Sequence, residues 1–184
     1  MPEAYPTPLA GQRITASLLR SMQPQTARKT ADTPRTATTT QTLDPHLQFT
    51  AVAGAVYTFQ GWVTYDADNA GDIILTFSVP SGSQGKWTGY GSGTTVISGT
   101  AGGGTQQNAS STWGYTIRNE YSDITQPRTF GGLGLTNAQT VLLTGTLRVG
   151  ATGGTWGLSW SQAVSSATAT TIYTDSWISC QRTA

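Results

Sequence analysis

The residue types that could support catalysis are few and widely separated along this chain. The only histidine, His46, lies in the segment 44–47, where a turn leading into a strand accounts for it, and no nucleophile-elbow motif occurs. Glu120 and Asp123 are the one carboxylate pair outside turns, and solvated charge at a strand end accounts for both. No phosphate-binding loop, dinucleotide motif or zinc-ligand spacing is found. The sequence therefore predicts a protein that is not an enzyme.

One acidic segment, residues 65–72, has part of the pattern of a calcium-binding loop. Asp66 and Asp68 stand at its first and third positions and Gly71 at its sixth. Ala70 and Phe77 occupy the fifth and twelfth positions, so the bidentate glutamate of such loops is missing. The turn preferences of Asp, Asn and Gly explain the same residues. We expect a hairpin turn here, with no metal and no other cofactor.

Aromatic residues are the better candidates for a binding role. Trp87, Tyr90 and Trp113 lie within or beside the glycine-rich stretch 81–112, a length of loop that is usually functional or mobile. Aromatic side chains in such a setting can stack on sugar rings or on a neighbouring protein. The alternative is that they pack in the core. Cys180 is the only cysteine, so no intrachain disulfide can form. We expect it to be a small buried side chain.

The elements that would position these residues are strands. From Leu47 onward apolar and polar residues alternate with a period of two, for example Tyr57, Phe59, Val63 and Tyr65, although Trp62 falls on the other face. One apolar and one polar face per strand indicate antiparallel sheets on a shared core. Many short strands with glycine-rich turns predict an all-β, antiparallel β-sandwich, jelly-roll-like, covering residues 46–184.

The N-terminal residues 1–45 are predicted to form an extended arm with one helix at about residues 15–23. Thr15 is a suitable N-cap and Pro24 ends the helix. So short a helix is marginal in water unless its apolar side docks on another surface. We therefore expect an attachment helix, whose apolar contacts would come from Ile14, Leu18, Leu19 and Met22.

Basic residues are concentrated in this arm, while the whole chain carries a formal net charge of only +1. The arm is either a solvated segment or a basic segment lying on an acidic partner, oriented by Arg13, Arg20 and Arg28. The low net charge argues against a nucleic-acid partner.

The surface composition is that of an extracellular or virion β-protein. Charged residues make up 10 %, and Gly, Ser and Thr take their place. No segment has the pattern of a secretory signal or approaches the length needed to span a bilayer. We expect no membrane insertion, and release by cell lysis.

Several segments together carry a family resemblance: 11–16, 28–33, 44–47, 71–82, 146–150 and 165–170. In this order they resemble small structural proteins of tailed phages and prophages of actinobacteria. The resemblance implies a non-enzymatic virion component of the minor-tail or tail-fibre type, anchored by its arm to other virion proteins, self-associated as a trimer and facing a host surface glycan. A capsid decoration protein that stabilises the shell is the first alternative. The second is a carbohydrate-binding module without a virion role.

Overall fold

The computed structural model describes residues 10–11, 13–68, 71–93, 117–118 and 122–184. Two antiparallel sheets face each other across one core. The elements are α1 (Ala16–Met22), β1 (Gln25–Arg28), β2 (Thr33–Arg35), β3 (Thr42–Ala51), β4 (Val56–Asp66), β5 (Ile73–Ser78), β6 (Gln84–Ser92), β7 (Ile117–Arg118), β8 (Ser122–Asp123), β9 (Arg128–Phe130), β10 (Gln139–Arg148), β11 (Gly154–Gln162), β12 (Thr170–Ile172) and β13 (Trp177–Arg182).

The strand pairing is nested in the manner of a jelly roll. β3 pairs with β11, β4 with β10, β5 with β9, and β6 with both β7 and β8. Along the sequence from β3 to β11, the first strand therefore pairs with the last, the second with the second to last, and so on to the middle of the segment. The small sheet has the order β3-β11-β5-β9, and the large sheet contains β4-β10-β6. The predicted all-β, antiparallel, jelly-roll sandwich is confirmed.

Further strands widen the large sheet at its β4 edge. β13 pairs along β4 and β1 pairs along β13, while β12 bridges β4 and β2. The predicted boundary at residue 46 is corrected by this pairing, because residues 25–45 supply two strands and the start of β3. These strands are short and their residues largely polar, so they lack the alternating pattern from which the later strands were predicted.

A buried ion pair fastens the N-terminal residues to the sandwich. Lys29 and Asp44 are both fully buried, and the Lys29 Nζ lies 2.8 Å from Asp44 Oδ2 and 2.6 Å from Thr33 Oγ1. Asp44 also accepts hydrogen bonds from the Trp160 indole N–H at 3.1 Å and from two backbone N–H groups, at residues 46 and 47. The charge of each side chain is thus compensated inside the domain.

Arg35 is the second basic residue of the N-terminal segment that turns inward. Its guanidinium lies 3.9 Å from the centre of the Trp160 ring and donates to the backbone carbonyls of Thr42, Leu43 and Trp160. The interpretation of this segment as a solvated arm, or as one lying on an acidic partner, is therefore corrected for residues 25–45. Their basic side chains bind the chain's own domain.

The core between the sheets is aromatic. The rings of Phe49 and Trp156 stack at 5.0 Å, and those of Phe59 and Phe77 lie 4.8 Å apart. The large sheet makes room for them with glycine: a β-carbon at Gly145 would come within 2.5 Å of the Phe59 ring. The Phe59 ring therefore occupies the space that a side chain at residue 145 would need.

Helix α1 lies against β13 and has the geometry of a capped helix. The Leu18 N–H donates to Thr15 Oγ1 at 3.2 Å, and the Leu19 N–H donates to the Thr15 carbonyl at 3.1 Å. The helix covers Ala16–Met22, within the predicted residues 15–23. In the described part of the chain, no helix has the length and apolar character needed to cross a membrane.

Candidate functional site

The outer face of the large sheet carries a row of apolar side chains. Trp177, Trp62, Leu142 and Tyr90 stand directly opposite one another on β13, β4, β10 and β6. The exposed fractions of Trp62, Leu142 and Tyr90 are 44 %, 46 % and 45 %, and Trp177 is half-buried. We call these four side chains the apolar row. The solvent face of an antiparallel sheet is normally polar, so a contiguous apolar row indicates a contact surface.

Beside the apolar row runs a row of hydroxyl and amide side chains. Ser179, Gln60, Thr144 and Thr88 are in register on the same four strands, and we call them the polar row. A hollow of about 620 Å³ lies over the polar row, with Pro24 at one side and Lys86 at the other. A second hollow of about 260 Å³ adjoins it, shares Gln60 and Thr144, and is lined by Trp177, Leu142 and Tyr90 of the apolar row. Both volumes together lie in the range of ligand sites.

The charged side chains on this face lie at its margins. Arg28 forms an ion pair with Asp175 at the β1 edge, and Lys86 forms one with Asp123 at the β8 edge. Arg148, at the far end of β10, donates to Gln84 Oε1 at 3.1 Å. The centre of the face is therefore uncharged.

The three predicted contact aromatics have different positions. Tyr90 lies on the outer face, in the apolar row. Trp87 is 1 % exposed, packs edge-on against Phe77 at 5.4 Å and donates its indole N–H to the Gln126 carbonyl at 3.3 Å. Its predicted contact role is wrong, because successive side chains of β6 alternate between faces and Trp87 points into the core. Trp113 lies outside the described residues.

The sequence-based candidates omitted Trp62, Leu142 and Trp177. A signal for two of them exists in the alternation itself. Trp62 and Leu142 are apolar residues at positions where the polar face of β4 and β10 is expected. An apolar residue at a strand position where the alternation requires a polar one therefore predicts an exposed contact residue better than proximity to a glycine-rich loop does.

The predicted attachment residues are only partly available to a partner. Ile14 and Leu19 are 69 % and 48 % exposed, whereas Leu18 and Met22 are half-buried. Among the basic residues, Arg13 is exposed and the side chain of Arg20 lies outside the described residues.

Arg28, the third predicted basic contact, is engaged within the chain. Its predicted role in binding a partner's carboxylates is corrected by the pair with Asp175, on the turn before β13. Short-range pairing across two neighbouring strands accounts for its position, and no sequence signal links residues so far apart.

The acidic residues of the segment that resembles a calcium-binding loop have hydrogen-bond partners in different parts of the chain. The Asp66 carboxylate accepts from the Tyr173 hydroxyl at 2.5 Å, and that hydrogen bond raises the pKa of Tyr173 to about 12. The Asp72 carboxylate accepts from the Gly132 N–H at 2.8 Å, and burial raises its pKa. No three His, Cys, Asp or Glu side chains are placed to share a metal ion in the portion of the chain that is described.

The remaining titratable candidates have structural surroundings. His46 lies within β3, with its Nδ1 at 3.1 Å from Thr30 Oγ1, rather than in a turn before the strand. Cys180 is buried in the core, as predicted, and burial raises the pKa of its thiol to about 12. Asp123 pairs with Lys86, and Glu120 lies outside the described residues. His46 and Asp123 therefore contact a threonine hydroxyl and a lysine ammonium group of the chain itself.

Comparison with protein-family models, with curated proteins and with solved structures found no match. The function is therefore argued from the site itself.

Proposed function

We propose that the protein is a non-enzymatic structural component of a tailed-phage virion, of the tail-fibre or minor-tail type. Its jelly-roll domain is displayed on the particle, where it contacts the host, and α1 attaches it to other virion proteins. The resemblance of its sequence segments supports the virion role. The jelly roll is compatible with it, since capsid and lectin domains share this architecture, although a fold alone does not fix a function.

One observation carries the contact role. The apolar row exposes three large side chains across adjacent strands, on a sheet face that folding alone would leave polar. Contiguous apolar surface of this kind costs solubility, and it is retained where a partner covers it.

The attachment role is supported by the exposed side chains of Ile14 and Leu19. Burying the part of both side chains that is still exposed would contribute roughly 2–3.5 kcal/mol before the cost of ordering is subtracted. Leu18 and Met22, which are half-buried, have less surface left to offer.

The first test is the number of copies per purified particle, measured by quantitative mass spectrometry against the major capsid protein. A few dozen copies or fewer support a tail component. Hundreds of copies in a fixed ratio to the capsid protein would replace the tail assignment with a capsid decoration protein. Complete absence from particles would overturn the virion role.

Attachment is tested with the double substitution Ile14→Asp and Leu19→Asp. We expect it to leave thermal unfolding unchanged and to abolish incorporation into particles, because it places charge on the surface that must be buried. The matched control is Leu135→Asp with Val164→Asp, two exposed apolar residues remote from α1 in sequence. Incorporation of the α1 variant at the control's level would refute attachment through α1.

A further inference from the structure

We propose that the outer face of the large sheet binds a neutral polysaccharide, with sugar rings packed on Trp62 and Trp177 and hydroxyl groups bonded by Gln60 and Thr144. This inference rests on the contact role proposed above and names the chemical class of its partner.

The apolar row has the dimensions of an elongated platform. Neighbouring strands lie about 4.8 Å apart, so the four side chains extend over about 14 Å across the sheet. The indole N–H of Trp62 donates to Thr64 Oγ1 of its own strand at 3.0 Å. Because its polar edge is satisfied locally, the exposed part of this side chain offers an aromatic surface to the C–H groups of a sugar ring.

The polar row supplies the groups that sugar hydroxyls need. A sugar hydroxyl both donates and accepts, and an amide or a hydroxyl side chain does the same. The side chains of Gln60 and Thr144 have no hydrogen-bond partner within the described residues, and both line the two adjoining hollows. A ligand seated there would meet aromatic surface on one side and unpaired polar groups beneath.

The charge distribution selects a neutral ligand. The two ion pairs at the margins, Arg28 with Asp175 and Lys86 with Asp123, are internally compensated. A polyanion such as a nucleic acid or an acidic glycan would need several uncompensated basic side chains along its path. The centre of this face offers none.

A second copy of the chain fits the same face less well. A stable protein interface buries about 800 Å² on each partner, with an apolar centre inside a polar rim. Here the apolar residues form a single row, flanked by the side chains of Gln60 and Thr144, whose desolvation without a partner would cost free energy. Sugar hydroxyls would satisfy those groups.

The test uses the full chain and four neutral hexasaccharides: cellohexaose, maltohexaose, xylohexaose and α-1,6-mannohexaose. Binding is measured by isothermal titration calorimetry and by tryptophan fluorescence, with hexagalacturonate as the acidic comparator. We expect at least one neutral hexasaccharide to bind with a sub-millimolar Kd and hexagalacturonate to bind more weakly.

The variants locate the site. Trp62→Ala and Trp177→Ala are each expected to weaken binding about tenfold or more, since stacking on an aromatic surface is lost. Trp62→Phe retains a ring and is expected to retain most of the affinity. The matched control, Val164→Ala, removes exposed apolar surface elsewhere and should change nothing. Urea midpoints of the two Trp62 variants and of Val164→Ala should stay close to that of the parent chain, which separates lost binding from lost folding. Trp177→Ala, at a half-buried position, should lower the midpoint, so its binding is measured without urea, where the folded baseline is intact.

Four outcomes would overturn the proposal. These are no neutral hexasaccharide bound at millimolar concentration, binding unaffected by Trp62→Ala, tighter binding of hexagalacturonate than of every neutral ligand, or a dimer in analytical ultracentrifugation that Trp62→Ala dissociates. The copy number per particle tests the virion role, and its outcome is independent of the binding titrations, which test the glycan site. A chain absent from particles that still binds sugar through Trp62 would refute the virion role alone, and a particle component without sugar binding would refute the glycan site alone.

Discussion

Removing the ammonium group of Lys29 should destabilise the whole sandwich, although the residue lies in a segment whose sequence has no strand-like pattern. The substitution Lys29→Met keeps the volume of the side chain and removes its charge. It leaves the Asp44 carboxylate buried with three N–H donors, two from the backbone and one from an indole. Breaking a buried ion pair by removing one partner costs about 3–5 kcal/mol.

The loss of stability within this range depends on the hydrogen bonds that the remaining charged group keeps in each variant. In Lys29→Met the carboxylate stays hydrogen-bonded, so the loss should be about 3 kcal/mol. In Asp44→Asn the buried ammonium retains only the Thr33 hydroxyl and a neutral amide, so the loss should approach about 5 kcal/mol. For a chain of 184 residues, a loss of 3 kcal/mol lowers Tm by roughly 6–12 °C.

The assay is urea unfolding followed by tryptophan fluorescence and checked by calorimetry. The matched control is Lys86→Met, which removes the same charge from an exposed pair with Asp123 and should cost less than about 1 kcal/mol. Equal losses for Lys29→Met and Lys86→Met, or a smaller loss for Asp44→Asn than for Lys29→Met, would refute the reasoning.

Three further predictions follow from the fold and its titratable groups. A fragment covering residues 46–184 should fail to give a cooperative unfolding transition, because it lacks β1, β2 and Asp44, whereas residues 24–184 should unfold close to the full chain in a thermal melt. The free energy of unfolding should fall as the pH rises from about 9 to about 12. Folding raises the pKa values of Cys180 and Tyr173, so both groups hold their protons more tightly in the folded state. The stability that this contributes is complete below the unfolded-state pKa values and is lost as the pH rises through the folded-state values. Cys180→Ala should move the onset of that loss to higher pH in pH-dependent urea titrations. Trp87→Ala should cost about 3–5 kcal/mol of stability, while the exposed Tyr90→Ala should cost little and weaken ligand binding, as measured by parallel unfolding and binding titrations.

Alternation in the sequence is sufficient to predict the sandwich because β4 and β10, at the centre of the large sheet, each bury only one face along most of their length. Val141, Leu143 and Leu147 are buried on β10, as their spacing requires. The N-terminal strands could not be predicted in this way. β1 and β2 bury little apolar surface through their own side chains. Their places depend on backbone pairing, on the contacts of Arg35 with Trp160, and on Lys29, whose partner Asp44 is fifteen residues away. A run of charged residues predicts a solvated segment or one lying on a partner, because a buried lysine is rare unless it is paired, and pairing is a tertiary property.

The candidate contact surface shows the same dependence on tertiary structure. Loop context makes Trp87 a candidate contact residue, with packing in the core as the alternative, and strand parity places it in the core. The same parity places Trp62 and Leu142 on the solvent face. Nothing in the sequence indicates that these two residues and Trp177 share one row, because their alignment is set by the register of β13, β4 and β10.

The position of α1 links the two surfaces proposed to make contacts. The helix lies against β13, and Pro24, which follows it, lines the larger hollow on the outer face. A structure that grips α1 through Ile14 and Leu19 would therefore stand near the β13 edge of that face. The β6 edge, which carries Tyr90, lies three strands farther away, about 14 Å across the sheet. A polysaccharide would then approach the apolar row from Tyr90 toward Trp62, and the end at Trp177 would be the one nearest to the particle. Attachment and sugar binding would thus take place side by side, because Trp177 of the sugar site lies on β13, the strand against which α1 packs.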